Sequence, residues 1–263
     1  MAAPSPRDRT TVSVVIPVKD DDAELARCLA ALSVQTRVPD EIIVVDNGST
    51  DASAAVARDA GARVEPCDRP GIPAASAHGY DRASGDLILR LDADCIPDPD
   101  WVAAVVDAFD RAEIGAVTGG ARFLDGPRAL RAPLAITYLA AYDGAGALAL
   151  GHRPLFGSNL ALRREAWRGI HHRVHRDDAA VHDDFDLSFH LGERWRIGRV
   201  KADHMAMSMR PFADPGAFAR RVRAGFRTVV IHWPHDVPPV RWVRIALRRA
   251  GLGIRVRQDR PLP

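Results

Sequence analysis

The stretch Leu87–Trp101 reads LILRLDADCIPDPDW and sets four carboxylates, Asp92, Asp94, Asp98 and Asp100, within nine residues behind an apolar run. Carboxylates crowded at the end of a buried strand repel one another and are costly to keep unpaired. A hard divalent cation relieves that cost. Mg2+ is held by one or two carboxylates, with phosphates and water completing its shell, and Mn2+ favours the same oxygen donors. An Asp-x-Asp pair at a strand end lets both side chains reach one side of the loop once the pleat breaks. The ion would then bridge protein and diphosphate and neutralise a diphosphate leaving group. A lone Asp-x-Asp is more often a solvated loop or a helix cap. What raises this one is its place behind a buried strand, beside other strands with polar ends. Asp98 and Asp100 read as loop and cap residues in a turn stiffened by Pro97 and Pro99.

The elements that must position these acids follow from periodicity. TVSVVIPV, residues 11–18, is apolar at nearly every position, as in a strand buried on both faces of a parallel sheet. Leu25, Cys28, Leu29 and Leu32 recur at helical spacing behind an aspartate-rich start. Ile42–Val45 is a second strand that ends in Asp46 and a Gly-Ser turn, and the helix after it stops at Gly61. Arg63–Glu65 forms a short third strand, Ile72–Ala83 a helix, and DLILRLDAD the fourth strand. This alternation predicts an α/β fold, an open, mixed but mostly parallel sheet flanked by helices, with right-handed crossovers. Ligands of such sheets bind at the carboxyl ends of the strands. Lys19-Asp20, Asp46-Asn47-Gly48 and Asp92-Ala93-Asp94 are therefore expected to converge on one crevice.

The second half alternates less regularly. A helix is expected over Trp101–Ala112, a strand over Gly115–Phe123, and a mostly helical run over Leu130–Leu150. LFGSNLALRREAW reads as strand, turn and helix around Gly157 and Asn159, and HDDFDLSFHLGERW as a helix with an acidic start. RIGRVKADHMAMSMR reads as a further strand or hairpin, with Met205, Met207 and Met209 alternating as core packing.

Composition is that of an ordinary globular chain, 47% hydrophobic and 27% charged. Cys28, Cys67 and Cys95 form no CxxC or zinc spacing, which fits a reducing compartment. MAAPSPRDRT lacks the apolar stretch of a signal peptide, and no run of about 18 apolar residues is present. The expected location is cytoplasmic, with peripheral contact to the inner face of the membrane left open. The net charge of +2 is unevenly spread: residues 210–263 carry 12 Arg against 3 Asp, or +9, which leaves −7 for the rest. With 34 Arg and 2 Lys, arginine is also simply the default cation of this chain. Trp242, Val243, Ile245, Ala246, Leu247 and Leu252 interleave with Arg as in an amphipathic helix. Such a helix suits either an anionic lipid surface or packing on its own domain. No nucleic-acid-binding fold accompanies the basic residues.

The pieces VSVVIPVKD, IIVVDNGSTD, RPGIPAASAHGYDRASGDLILRLDAD, GSNLALRREAW and HDDFDLS occur in an order that resembles family 2 glycosyltransferases of the GT-A fold, over roughly residues 11–210. The resemblance implies a nucleoside diphosphate sugar as donor and Mn2+ or Mg2+ as cofactor. It implies that Pro17 and Val18 line the nucleoside pocket, that Asp46 bonds the base, that Asp92 lies near ribose and metal, and that Asp94 ligates the metal. Asp184 then matches the general base, and Gly157, Asn159 and Asp183 face donor sugar and acceptor. His204 is a candidate third metal ligand or diphosphate contact. Ser76 and Ala77 stand where the family commonly has Arg and Asn, so a cationic diphosphate contact is missing there, with Arg69 or His78 as substitutes. The chain divides into a disordered lead (1–10), a glycosyltransferase domain (11–235, with a nucleotide half to 100 and an acceptor half from 101), and a basic helical tail (236–263).

The implied reaction is direct displacement at the anomeric carbon with inversion, an acceptor hydroxyl losing its proton to Asp184. Asp183 and Asp186 are expected to raise the pKa of Asp184 by like-charge repulsion. All three acids would also suit a helix N-terminus for purely structural reasons. The acceptor is not readable, although a lipid-linked or cell-envelope glycan would suit a basic tail. A nicotinamide enzyme would want GxGxxG after the first strand, and a nucleotidyltransferase a Gly-rich basic loop; VIPVKDDDAEL offers neither. A non-catalytic nucleotide-sugar binder or scaffold with the same fold is the alternative.

Overall fold

A computed structural model describes residues 10–201, 204–210 and 215–251. The expected lead over residues 1–9 and the end of the tail from Leu252 lie outside the described residues.

Strand β1 (Val12–Val18) is central to the sheet, parallel to β2 (Glu41–Asp46) on one side and to β4 (Leu87–Arg90) on the other. Beyond β2 lies β3 (Arg63–Pro66), also parallel. Beyond β4 come β8 (Leu160–Arg163), antiparallel to both its neighbours, then β6 (Ile114–Thr118) and β9 (Arg196–Arg199). The order among the described residues is β3-β2-β1-β4-β8-β6-β9. A second, three-stranded sheet pairs β10 (Met205–Met207) with β5 (Cys95–Pro97) and β7 (Arg122–Phe123).

The two faces of β1 feed two cores, as the period of a strand requires. Val12, Val14 and Ile16 pack with Leu25, Cys28, Leu29 and Leu32 of α1 (Asp22–Ser33). Val15 packs on the opposite side with Ala74, Ala75, Ala77 and Tyr80 of α3 (Ile72–Arg82). The small residues of α3 bring its backbone close to the sheet. A Cβ on Gly79 would overlap Val15 Cγ1, so only glycine fits there. Helix α2 (Ser53–Asp59) joins β2 to β3, and α4 (Trp101–Asp107) follows β5.

The second half holds α5 (Arg128–Leu150), α6 (Arg164–Arg168), α7 (Asp183–Leu191), α8 (Pro215–Ile231) and α9 (Pro238–Arg249). One expectation changes here. RIGRVKADHMAMSMR is not a hairpin: β9 sits at the edge of the main sheet, and β10 belongs to the second one. Met205 and Met207 are buried as expected, but so is Ala206 between them. Of the two readings left open for the basic helix, the described part, α9, packs on the domain. Arg241 of α9 is fully buried, and its guanidinium donates to the carbonyls of Leu150 (2.8 Å) and Phe189 (2.7 Å). Tertiary bonds to backbone carbonyls, invisible in a charge count, fix this helix to α5 and α7.

Candidate active site

Because β1, β2 and β4 are parallel, their carboxyl ends open on one edge, and the polar punctuation gathers there. Val18 pairs directly with Asp46 in register, and the Val18 carbonyl accepts the Asn47 N–H at 2.9 Å. Asp46 Oδ1 accepts the Ser49 N–H at 2.9 Å, which closes the turn after β2. Asp20, at φ +51°, reaches across to accept the Thr50 N–H at 2.6 Å, which locks the loops after β1 and β2 together. Pro17 stands opposite Val45 one step back.

Pairing of β4 ends at Arg90, so Asp92 and Asp94 sit in the turn before β5. Asp92, Asp94 and Cys95 present atoms that all lie within 4.8 Å of one another. Burial first, and then the charge of Asp92, push Asp94 up to about 6, against the pull of Arg210 at 3.1 Å. Burial holds the Cys95 thiol well above its usual range, so it stays protonated and the carboxylates are the available ligands. Two hard oxygen donors on one turn fit Mg2+ or Mn2+. Arg210 also grips Asp21 through both nitrogens, at 2.9 and 2.6 Å, and so ties the loop after β1 to the Asp94 carboxylate.

Arg90 is the residue that sequence reasoning passed over. It is the one cation inside the apolar run of β4, and it is buried. Its Nη2 lies 2.8 Å from Asp92 Oδ1 and 3.6 Å from Asp183 Oδ2. A lone charge in a strand buried on both faces was the available signal, since it has to be paired. The Ser158 hydroxyl donates to the other Asp92 oxygen at 2.7 Å. Ser76, standing where an Arg was expected, donates to Asp183 at 2.9 Å.

Helix α7 delivers the second set of acids. Asp184 is buried, and its Oδ2 accepts the Gly157 N–H at 2.6 Å. Its Oδ1 faces His182 Nδ1 in a short contact. Burial pushes Asp184 upward, but His182, Arg90 and the Gly157 N–H outweigh it and hold the carboxyl below its usual range. The expected elevation by Asp183 and Asp186 is thus overturned, because cations and donors lie closer to Asp184 than its fellow acids suggested. Burial disfavours a charged His182, yet the adjacent Asp184 lifts it above its usual range. Burial raises Asp183, opposed by Arg90 and reinforced by Asp184.

The other candidates have partners of their own. Asn159 is buried, with its side chain committed inward: Nδ2 donates to the Gly120 carbonyl at 2.8 Å, and Oδ1 accepts from Trp101 Nε1 at 2.9 Å. His204 Nδ1 pairs with Asp100 at 3.0 Å. Arg69 pairs with Asp177 at 2.6 Å and His78 with Glu65 at 3.8 Å. Both line a cavity of about 390 Å³ beyond the end of β3.

The family model for "Glycosyl transferase family 2" matches residues 13–170, more than half of the chain. The chain belongs to glycosyl transferase family 2. This family member has the GT-A fold, shared with glucosyl-3-phosphoglycerate synthase from Mycobacterium tuberculosis. One structure of that protein, with Mn2+, UDP-glucose and phosphoglyceric acid, is 24% identical at a TM-score of 0.56, over 85% of this chain and 81% of that one. Another, with Mn2+ and UDP-glucose, is 27% identical at a TM-score of 0.57, over 85% and 80%. Among curated relatives, Glycosyltransferase AglE of Haloferax volcanii is 31% identical over 43% of this chain and 40% of its own length. The undecaprenyl-phosphate 4-deoxy-4-formamido-L-arabinose transferase of Aeromonas hydrophila is 36% identical over 38% of this chain and 34% of its own length. The chain therefore covers well under half the length of those two relatives. Among the described residues, no helix is long and apolar enough to cross a membrane.

Proposed function

We propose that this chain moves a sugar from a nucleoside diphosphate sugar to an acceptor hydroxyl with inversion. The observation that carries the reading is the buried Arg90, which joins Asp92 at the end of the sheet to Asp183 at the start of α7. Donor-side and acceptor-side acids thereby share one network. The nucleoside lies over Pro17, Val18 and Asp46, and its ribose and diphosphate run toward Asp92 and Asp94. A bound Mn2+ or Mg2+, held by Asp94 and Asp92, would supply positive charge to the departing diphosphate. Structures of the mycobacterial synthase with Mn2+ and UDP-glucose, and with Mg2+ and UDP, support that choice.

The acceptor oxygen attacks the anomeric carbon from the face opposite the diphosphate. The carbon–oxygen bond to diphosphate breaks, and its electron pair leaves with the nucleotide. The acceptor proton passes to Asp184, an assistance worth about 10²–10⁴-fold. Gly157 orients that carboxylate through its N–H, and Asn159 holds the Gly157–Asn159 turn from within. One observation favours a second reading of the base. Asp184 is buried with both oxygens engaged, whereas the His182 side chain is 23% exposed, so His182 is the member of the pair that faces outward. In that reading Asp184 orients the imidazole and His182 takes the proton.

A lipid-carried acceptor deepens the proposal. The undecaprenyl-phosphate transferase named above points that way, and so does the surface of the last two helices. Phe218, Val222, Phe226 and Val230 are exposed at four-residue spacing along α8, and Val240, Trp242, Val243 and Leu247 are exposed on α9, among arginines. An apolar stripe edged with Arg suits an anionic bilayer surface. Sedimentation with anionic, but not neutral, vesicles is the expected result, and equal recovery with both would remove the lipid reading.

The deciding experiment is a panel of UDP-, GDP- and dTDP-sugars with and without Mn2+, followed by thermal stability and by slow donor hydrolysis. One donor should stabilise the protein in a metal-dependent way and be hydrolysed. Stabilisation without turnover on any acceptor would establish the non-catalytic binder instead.

A further inference from the structure

Where α7, α8 and the loop before α7 meet, three histidines surround one carboxylate. Asp186 and His190 stand one helical turn apart on α7, His175 comes from the loop between α6 and α7, and His232 follows the last residue of α8. One donor atom from each lies within 4.8 Å of all the others. Asp186 Oδ1 is 2.7 Å from His175 Nδ1, 3.3 Å from His232 Nε2 and 3.5 Å from His190 Nε2. The Asp186, His190 and His232 side chains are only 4%, 5% and 5% exposed.

The polar accounting does not close without a further partner. His190 Nε2 and His232 Nε2 are buried with no hydrogen-bond partner among the described residues. His232 Nδ1 donates its proton to the Thr228 carbonyl at 2.7 Å, so in the neutral ring Nε2 carries a bare lone pair. That lone pair therefore faces a carboxylate oxygen, two electron-rich atoms with nothing positive between them. Asp186 is held in place from its other side, where Oδ2 accepts the His175 N–H at 2.8 Å.

We propose that His175, Asp186, His190 and His232 form a closed site for a zinc-type divalent transition ion. Metal–nitrogen and metal–oxygen bonds of about 2.0–2.1 Å in a tetrahedron place the ligand atoms about 3.3 Å apart. The 3.3 and 3.5 Å separations match that edge, and the 2.7 Å His175 contact opens slightly on loading. Three imidazoles and one carboxylate suit zinc better than Mg2+, which separates this site from the Asp92–Asp94 pair. Four protein ligands leave no open position, so the role is structural. The outer shell is also built: Thr228 fixes the His232 tautomer, and the Phe189 ring stacks on His232 at 4.0 Å. The ion would clamp α8 and the loop carrying His175 onto α7, the helix that presents Asp184.

The test uses the whole protein, stripped with a chelator and titrated with Zn2+ and Co2+. Wild type and Asp94→Asn should each take up one tight equivalent of Zn2+, and Co2+ should give the intense visible bands of a four-coordinate ion. Zn2+ at about 100 times its Kd should raise Tm by about 5–10 °C. His190→Gln and His232→Gln should each lose affinity on the order of 100-fold or more. Absence of a tight equivalent in wild type, weak six-coordinate Co2+ bands, or loss of the ion in Asp94→Asn but in neither histidine variant would overturn the proposal. The wild-type spectrum and Tm shift decide the matter even if a variant fails to fold.

Discussion

The backbone N–H of Gly157 donates to Asp184 Oδ2 at 2.6 Å, and the same glycine lies flush against the Arg90 guanidinium. A Cβ at this position would overlap Arg90 Nη1 and come within 2.9 Å of Asp184 Oδ2. Gly157→Ala should therefore displace both charged groups at once. The overpacking costs about 1–3 kcal/mol of stability, within reach of a folded protein. Transfer should fall on the order of 100-fold, because an offset of about 1 Å in a positioned group has that effect. Kinetics and thermal unfolding of the same sample separate the two losses.

Asp184→Asn should keep metal-dependent donor binding and lose about 10²–10⁴-fold in transfer. His182→Gln distinguishes the two readings of the base. If Asp184 accepts the proton directly, the glutamine variant retains most of the rate. If the imidazole accepts it, both variants fall together, and the acidic limb of the pH–rate profile disappears with His182.

Arg210 holds Asp94 at 3.1 Å while also gripping Asp21, so its guanidinium competes with any cation for the Asp94 carboxylate. Arg210→Ala should tighten Mn2+ binding in the absence of donor by about 3–10-fold, as the loss of roughly 1 kcal/mol of competing interaction implies. Calorimetric titration reads this directly. Unchanged or weaker affinity would mean that Arg210 supports the site rather than competing for it.

His152 is 8% exposed, donates from Nδ1 to the Arg153 carbonyl at 2.9 Å, and presents Nε2 to Arg241 at 3.3 Å. Burial, joined by the Arg241 charge, pushes it down to about 4. A lowered folded-state value means that the unfolded chain binds the proton more tightly. The stabilisation is therefore present in full above about 6.5 and is lost as pH falls toward 4, by an amount on the order of 3 kcal/mol. Thermal unfolding across that window should fall more steeply for wild type than for His152→Gln. Since Arg241 anchors α9 to α5 and α7, amide exchange in residues 238–249 should rise with it.

Much of the first half was legible from residue order. TVSVVIPV read as a strand buried on both faces, which β1 is, and the polar stops at Asp46 and Asp92 fell where parallel strands end. These features follow from local chemistry: apolar period, turn residues and strand parity. The second half was less legible because its elements are defined by what they meet. MAM left the main sheet for a second one, and Arg241 decided between the two readings of the helix over residues 238–249.

The sequence by itself determined the parallel half of the sheet, the acidic strand ends and the family, since those depend on residue types at short spacing. Only the tertiary structure decided which charges neutralise which. It put Arg90 between Asp92 and Asp183, set His182 against Asp184 so that its pKa moves down rather than up, and turned Asn159 inward. It also drew His175, Asp186, His190 and His232 together across 57 positions (232 − 175). Electrostatic interactions fall off with distance in space and depend on burial, and neither quantity is encoded in the order of residues.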